Sequence, residues 1–558
     1  MLAGIRDETI DHDSRSAITR LIRSNPAAAL AALVVVSATV RLILAIVAPL
    51  GNDEAYHYLF TVHRDWSYFD HPPMTAWVED LGLAVAGGRV SAIALRLGFI
   101  ALFAGSTWLL ARLTNRLFGG DRPYAGFLAA LALNVTAYYG AAAATFALPD
   151  GPLLFFWLLT LDQLDRARRK PESITRWVGV GLAWGGALLS KYHAVFLPVG
   201  MFIYLLIEPS ARRLFLKPGP YLAIVIGILA FSPAIYWNYE HGWASFLFQG
   251  GRAAGSALFR PDLLARAIGE QALYLLPWIW WPLVVALVHG VRSATRRDGS
   301  NERFLTSQAI VPLLLFAWVA CRGRVLPHWS LIGFVSIFPL LGAALADRLA
   351  TEPKRLKTKL IVACLLPVLF ILAFMTITSS RLLERVKPAR LGEIAASADP
   401  LLDQEGWSEL SRVLRDRGVL NDPAVFLVTT RWYQSGQLAY ATRRGGDIAC
   451  YSAFDARGFA YWNRPEEWVG RDAILVTVDD TTTDPELMRP WFDRIDPIAQ
   501  VTLERSGKRV RTLNAFRCVR QRVPFPYANV SAREIRRRVI AGRGALHSTS
   551  DANERVRK

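Results

Sequence analysis

At 558 residues, 53% hydrophobic and 11% aromatic, the chain is too apolar for an ordinary soluble protein of its size. Its formal net charge of +18 comes with no basic stripe on a soluble face, which argues against nucleic acid and assigns the surplus to membrane loops and anionic headgroups. The four cysteines (Cys321, Cys364, Cys450, Cys518) lie far apart with no metal-finger spacing; Cys450 and Cys518 share a region and either pair or sit as two buried thiols.

Residues 1–26 are read as a cytoplasmic N-terminal segment. Apolar windows then recur at 27–50, 91–111, 124–146, 149–162, 177–190, 192–208, 219–237, 268–291, 304–321, 328–346 and 359–379. With about 20 apolar residues needed per crossing, these predict a mainly α, polytopic membrane domain over 27–380 with about 11 transmembrane helices. The first run is too long for a signal-peptide core and lacks a small-x-small cleavage site. Arg and Lys fall on alternate loops: Arg6 to Arg23, Arg112 to Arg122, Arg166 to Lys170, Arg212 to Lys217, Arg292 to Arg297 and Arg348 to Lys359. The positive-inside rule makes that side cytoplasmic, so the N-terminus is inside and the chain after 380 is outside.

From 381 to 525 the pattern becomes that of a soluble α/β module with a mixed or parallel sheet. Short β-branched runs (425–430, 448–452, 473–478) alternate with helical stretches (406–417, 432–441). It carries no GxGxxG, P-loop or Ser-His-Asp arrangement, so no catalysis is assigned to it. Residues 526–558 are Arg-rich and polar, read as a disordered or headgroup-binding tail.

The outer loops, 51–90 and 238–267 above all, hold the chemistry. Asp53-Glu54 follows directly on the first apolar run, and carboxylates at a membrane exit are costly unless kept for function. The same side collects Asp70-His71-Pro72-Pro73, Asp150, Lys191, His241-Gly242-Trp243 and the stretch from Arg322 to Trp329. Lys191, Arg252, Arg260, Arg322 and Arg324 are basic residues on the wrong side for the charge rule, which suggests a bound anion. Such a set suits sugar transfer from a lipid-linked phosphate: a carboxylate base, cations for the departing phosphate, and aromatic walls.

The motifs GNDEAYHYLF, DWSYFDHPPMTAW, ALPDGPLLFFW, LSKYHAVFLP, YWNYEHGWASFLFQ and RGRVLPHW resemble those of bacterial C-type glycosyltransferases. Within that group they are similar to the protein O-mannosyltransferase and lipid A aminoarabinose transferase superfamily, and most of all to its rhizobial lipopolysaccharide galacturonosyltransferases. The resemblance covers 27–380, and TTRWYQSGQLAYA of the outer module also looks like this branch. It implies the C-type fold in a bacterial inner membrane with a periplasmic C-terminal domain. It also implies a polyprenyl-phosphate sugar donor, inversion at the anomeric carbon, and a lipid A, lipopolysaccharide, polysaccharide or protein acceptor.

Carried over position by position, Asp53 matches the first-loop aspartate, as catalytic base or as an electrostatic anchor beside the acceptor, and Asp150 the second one, near the lipid phosphate. Glu54, Tyr56, Tyr68, Asp70, His71, Lys191, His241, Arg322, Arg324, His328 and Trp329 become the expected substrate contacts. His71 stands where the aminoarabinose transferases carry a phosphate-binding lysine, and neutral imidazole binds phosphate more weakly. No cofactor is implied; for a divalent metal the candidate ligands are Glu54, His57, Asp70 and His71, without the HExxH form. Blander readings stand beside these. Asp53 and Asp150 are good helix caps, Asp70 to Pro73 makes a rigid turn, Lys191 can snorkel, and His241 can anchor at the interface. The rival functions are a flippase for lipid-linked glycans and an inactive envelope-assembly protein of the same fold.

Overall fold

The computed structural model describes residues 25–254, 259–380, 402–452, 454–479, 484–505 and 508–527. The expected N-terminal segment and basic tail lie almost wholly outside them. The helical body comprises α1 (Pro26–Val47), α2 (Asn52–Val62), α3 (Met74–Val85), α4 (Ala92–Phe118), α5 (Ala125–Asn134), α6 (Asp150–Arg169), α7 (Ile174–Ser190) and α8 (Phe196–Ile207). It continues with α9 (Pro218–Glu240), α10 (Ala244–Ala254), α11 (Pro261–Leu275), α12 (Pro277–Ser293), α13 (Ser300–Ala320), α14 (His328–Val335), α15 (Phe338–Thr351) and α16 (Pro353–Ser380).

Among the described residues, α1, α4, α9 and α13 are each long and apolar enough to cross a membrane. Three bent pairs raise the number to seven: α5 with the turns Tyr138–Thr145 (83°), α11 with α12 (112°) and α14 with α15 (56°). The window 268–291, expected as one span, is therefore two helices. Leu276 takes a left-handed φ of 69° and Pro277 brings no N–H to continue the helix. The bend after α5 is held by Arg41 of α1, whose guanidinium donates to Asn134 O at 3.3 Å and also to Gly140 O. Broken backbone at membrane depth persists only where its carbonyls find such partners. This bend brings Tyr138 and Tyr139 to the start of α6.

Ion pairs and hydrogen bonds sort the loops into two ends. At one end Arg116 meets Asp165 (2.5 Å), Arg122 meets Asp347 (2.6 Å), Arg168 reaches Asn301 (2.6 Å) and Arg303 meets Glu208 (2.7 Å). These tie together the ends of α4, α6, α8 and α15 and the start of α13, so five of the basic loops read from the sequence share one end. At the other end Glu54 accepts from Ala147 N (3.0 Å) and Ser245 Oγ donates to Tyr68 O (2.9 Å).

The outer module has α17 (Trp407–Asp416), β1 (Phe426–Thr429), α18 (Trp432–Thr442), β2 (Ile448–Cys450), β3 (Ala473–Val478), β4 (Phe492–Arg505) and β5 (Lys508–Gln521). Strand order is β2-β1-β3-β5-β4, with β1 parallel to β2 and β3, and β5 antiparallel to β3 and β4. The sheet is thus mixed, and the long β4–β5 hairpin is an addition the sequence did not announce. Pro497 stands at a register shift between its strands. Cys450 on β2 and Cys518 on β5 are buried free thiols with β1 and β3 between them, so the pairing alternative fails. Three strand spacings of ~4.8 Å exceed what a disulfide bridges. Phe525 stacks on Tyr451 at 4.1 Å and Tyr527 is buried too, so the module runs past 525.

Helix α18 docks on α2. A Cβ at Gly436 would lie 2.8 Å from Tyr56 N, so only glycine permits the approach. Gln437 Nε2 then donates to Leu50 O (2.9 Å) and Asn52 Oδ1 (3.0 Å), fixing the module over the acidic pair.

Candidate functional site

The two carboxylates of the acidic pair have separate fates. Helix α2 starts at Asn52 with Gly51 as its N-cap, so Asp53 does not cap it. Glu54 is 2% exposed, and its oxygens accept from Arg96 Nε (2.7 Å) and Nη2 (2.6 Å), Gly51 N (2.8 Å) and Ala147 N (3.0 Å). Arg96, itself fully buried, spends its other donors on the carbonyls of Ala45, Ala48 and Pro49. Glu54 therefore has no oxygen left for a substrate and acts by fixing the loop. Asp53 is exposed and has no hydrogen bond or ion pair among the described residues, while its charge reaches Arg252 and Arg457.

Asp150 begins α6, and both its oxygens accept from Lys191 Nζ, at 3.0 and 2.8 Å. At 3% and 4% exposure neither residue snorkels or merely caps. Around this pair stand His328, stacked on Tyr138 (5.4 Å), and His193, stacked on Phe316 (5.1 Å), both within electrostatic reach of Lys191 and Asp150. His57 bonds Ala147 O through Nδ1 (2.8 Å), and its ring lies 5.6 Å from that of His71. Burial, reinforced by His57 and the charge of Lys191, holds the His71 imidazole well below its usual range, so it is neutral. His71 Nδ1, His193 Nε2 and Tyr139 Oη are buried without a partner among the described residues. Unpaired buried polar atoms beside an ion pair are the mark of a polar ligand site.

The remaining expected contacts divide. Trp329 is buried, with the Arg252 guanidinium 4.6 Å above its ring. Tyr56 is fully buried, donating to Asp70 Oδ1 (3.1 Å) and accepting from Gly458 N (3.0 Å). Tyr68 donates to Phe60 O (2.8 Å) and stacks on that ring at 3.9 Å. Both tyrosines, and Asp70 with them, build the floor rather than reach a ligand. His241 stacks on Trp237 at 4.0 Å and bonds its carbonyl, the anchoring alternative. Arg322 and Arg324 are exposed, Arg322 lying over Trp318 at 4.3 Å, and neither contacts the cluster. The cations brought to the site are instead Arg252 and Arg457.

Arg457 belongs to the outer module and was not among the expected residues. It pairs with Asp70 (3.2 Å), lies 3.6 Å from the Trp432 ring and holds a left-handed φ of 46°. Such strain in a non-glycine residue is kept where surroundings fix it, commonly at functional sites. Its sequence signal is faint: an Arg before Gly458 in an otherwise aromatic stretch.

No three His, Cys, Asp or Glu residues assemble as a metal site among the described residues. Of the candidate ligands, the Glu54 carboxylate is already taken by Arg96 and that of Asp70 by Tyr56 and Arg457, which leaves only the imidazoles of His57 and His71. Beside Phe316, an apolar cavity of about 350 Å³ opens between α11, α12, α13 and α14, lined by Leu264, Val325 and Phe334 among others.

Comparison with known proteins agrees with the motifs. Residues 70–237 match the family described as dolichyl-phosphate-mannose-protein mannosyltransferase. The chain is 25% identical over 290 residues to the lipid A galacturonosyltransferase RgtD of Rhizobium johnstonii, covering 51% of this chain and 58% of that protein. It is 25% identical over 287 residues to the lipopolysaccharide core galacturonosyltransferase RgtA of the same organism, covering 49% and 56%. The chain thus spans somewhat over half the length of these curated relatives. The crystal structure of ArnT from Cupriavidus metallidurans bound to undecaprenyl phosphate superposes with a TM-score of 0.56 at 18% identity, over 88% of this chain and 98% of that one. The fold is that of the C-type glycosyltransferases.

Proposed function

We propose that this chain, a C-type glycosyltransferase by fold and motif, moves one sugar from a polyprenyl-phosphate donor to a lipid A or core lipopolysaccharide acceptor. The reaction takes place at the periplasmic face of a bacterial inner membrane. The single observation behind this reading is the buried Lys191–Asp150 pair ringed by His71, His193 and Tyr139, whose polar atoms lack partners among the described residues, with an exposed Asp53 whose charge reaches Arg252 and Arg457. Asp53 takes the proton of the acceptor hydroxyl as its oxygen attacks the anomeric carbon. The bond from that carbon to the phosphate oxygen breaks on the opposite face, so the configuration inverts, and the phosphate leaves as a monoester anion. A positioned base of this kind contributes about 10²–10⁴-fold.

Lys191, held in place by Asp150, and Arg252, stacked on Trp329, face the departing phosphate. His71, His193 and Tyr139 turn their unpartnered polar atoms to sugar hydroxyls, and the 350 Å³ apolar cavity takes the first part of the tail. The galacturonosyltransferase relatives make a polyprenyl-phosphate hexuronate the first donor to try. About 11 crossings, with the basic loops cytoplasmic, complete the proposed topology.

The test is incubation of the purified protein in vesicles with polyprenyl-phosphate galacturonate and lipid A or core acceptors, followed by mass spectrometry. One added hexuronate supports the reading. No transfer to any glycolipid, polysaccharide or protein acceptor, with the lipid-linked sugar crossing the bilayer instead, would establish the flippase.

A further inference from the structure

A cavity of about 1200 Å³ opens at a place that sugar transfer does not use, between α5, α12, α15 and α16. It follows α12 from Trp278 near its start to Ser293 at its end, 15 residues or ~22 Å at 1.5 Å per residue. That length exceeds the ~15 Å depth of hydrocarbon in one leaflet. Its walls are apolar through Leu131, Trp281, Val285, Leu340 and Leu366, and Trp281 is 62% exposed. An apolar trough of this length with open tryptophans is built for a chain rather than for a polar metabolite.

Charge enters the lining only at the end that carries the basic loops: Arg122, Glu302, Asp347, Arg348 and Lys359. Arg122 is committed to Asp347 at 2.6 Å, and Glu302 also bears on Arg122. Arg348 and Lys359 remain, both exposed and without a hydrogen bond or ion pair for their side chains among the described residues. Two free cations at one end of an apolar trough complement an amphiphile with an anionic head.

We propose that this trough is a binding site for a membrane phospholipid of net negative headgroup, with an acyl chain along α12 and the phosphate against Arg348 and Lys359. The site is separate from the Lys191–Asp150 cluster, so the proposal stands or falls independently of the transferase reading. Basic residues beside an anionic surface each contribute enough that losing two weakens binding about 30-fold.

Native mass spectrometry of the full chain in detergent, titrated with phosphatidylglycerol and with phosphatidylcholine of identical chains, tests this. Wild type is expected to take up one phosphatidylglycerol in preference to phosphatidylcholine. R348Q/K359Q is expected to lose that preference, with phosphatidylglycerol about 30-fold weaker, and V285W is expected to block uptake with both cations intact. Thermal unfolding in lipid-free detergent confirms that each variant is folded; if the double variant is not, R348Q alone carries the comparison. Equal affinity for the two lipids, wild-type affinity in R348Q/K359Q, or no uptake at all because another part of the chain or a second copy fills the trough, would overturn it.

Discussion

Replacing Glu54 by Gln removes one charge from a pair that is sealed on both sides. The Glu54 carboxylate accepts four hydrogen bonds, two from Arg96 and one each from Gly51 N and Ala147 N. The Arg96 side chain is 0% exposed, so its charge cannot turn to water when the carboxylate goes. The Gln amide nitrogen also faces donors where an oxygen had accepted. Breaking one partner of such a pair costs about 3–5 kcal/mol, a large part of a total that is typically about 5–15 kcal/mol. Asp53→Asn, one residue away, alters an exposed side chain with no partner and is expected to stay within about ±0.5 kcal/mol. Unfolding of the purified proteins in one detergent, followed by Trp fluorescence, measures both. Glu54→Gln/Arg96→Met, which removes both charges, is expected to recover much of the loss. A Glu54→Gln protein as stable as wild type, or an Asp53→Asn protein as unstable as Glu54→Gln, refutes the division of roles.

Three further outcomes are expected. The folded state holds the His71 proton more weakly than the unfolded chain, so stability is full above pH ~6.5 and falls as pH drops through that value. His71→Asn should flatten that acid limb; identical limbs in both proteins would be the contrary result. Glu79 on α3 is fully buried with neither oxygen bonded among the described residues, and burial, helped by the Glu54 charge, raises its pKa well above 4.5. The folded state therefore binds this proton more tightly, and its contribution is full below pH ~4.5 and lost as pH rises. Glu79→Gln should raise the unfolding midpoint more at pH 8 than at pH 5, and a uniform shift would contradict this. Arg457→Gly relieves the left-handed backbone yet deletes the guanidinium that pairs with Asp70. Transfer should fall at least tenfold with kcat reduced, and wild-type kcat would remove Arg457 from the site.

Much of the site was legible because its chemistry is costly to keep in a membrane. Asp53, Asp150, Lys191 and His71 stood out as ionisable groups beside long apolar runs, and the folded chain brings Asp150, Lys191 and His71 together. The charge pattern also anticipated which loops share an end, where several of the arginines meet acidic partners. Arg322 and Arg324 misled, because sequence places a residue in a loop but does not say which way its side chain turns. Arg457 escaped for a different reason: it arrives from a separate module, and its contact with Asp70 spans 387 positions of sequence. The bends at Leu276 and after Asn134 escaped because hydropathy records burial and not direction.

The most direct test of the central claim is the rate of sugar transfer from a polyprenyl-phosphate donor by purified wild type and Asp53→Asn in the same vesicles. A fall of about 10²-fold or more, with the unfolding midpoint unchanged, is the expected result for a catalytic base. A folded Asp53→Asn protein that transfers at the wild-type rate would contradict it.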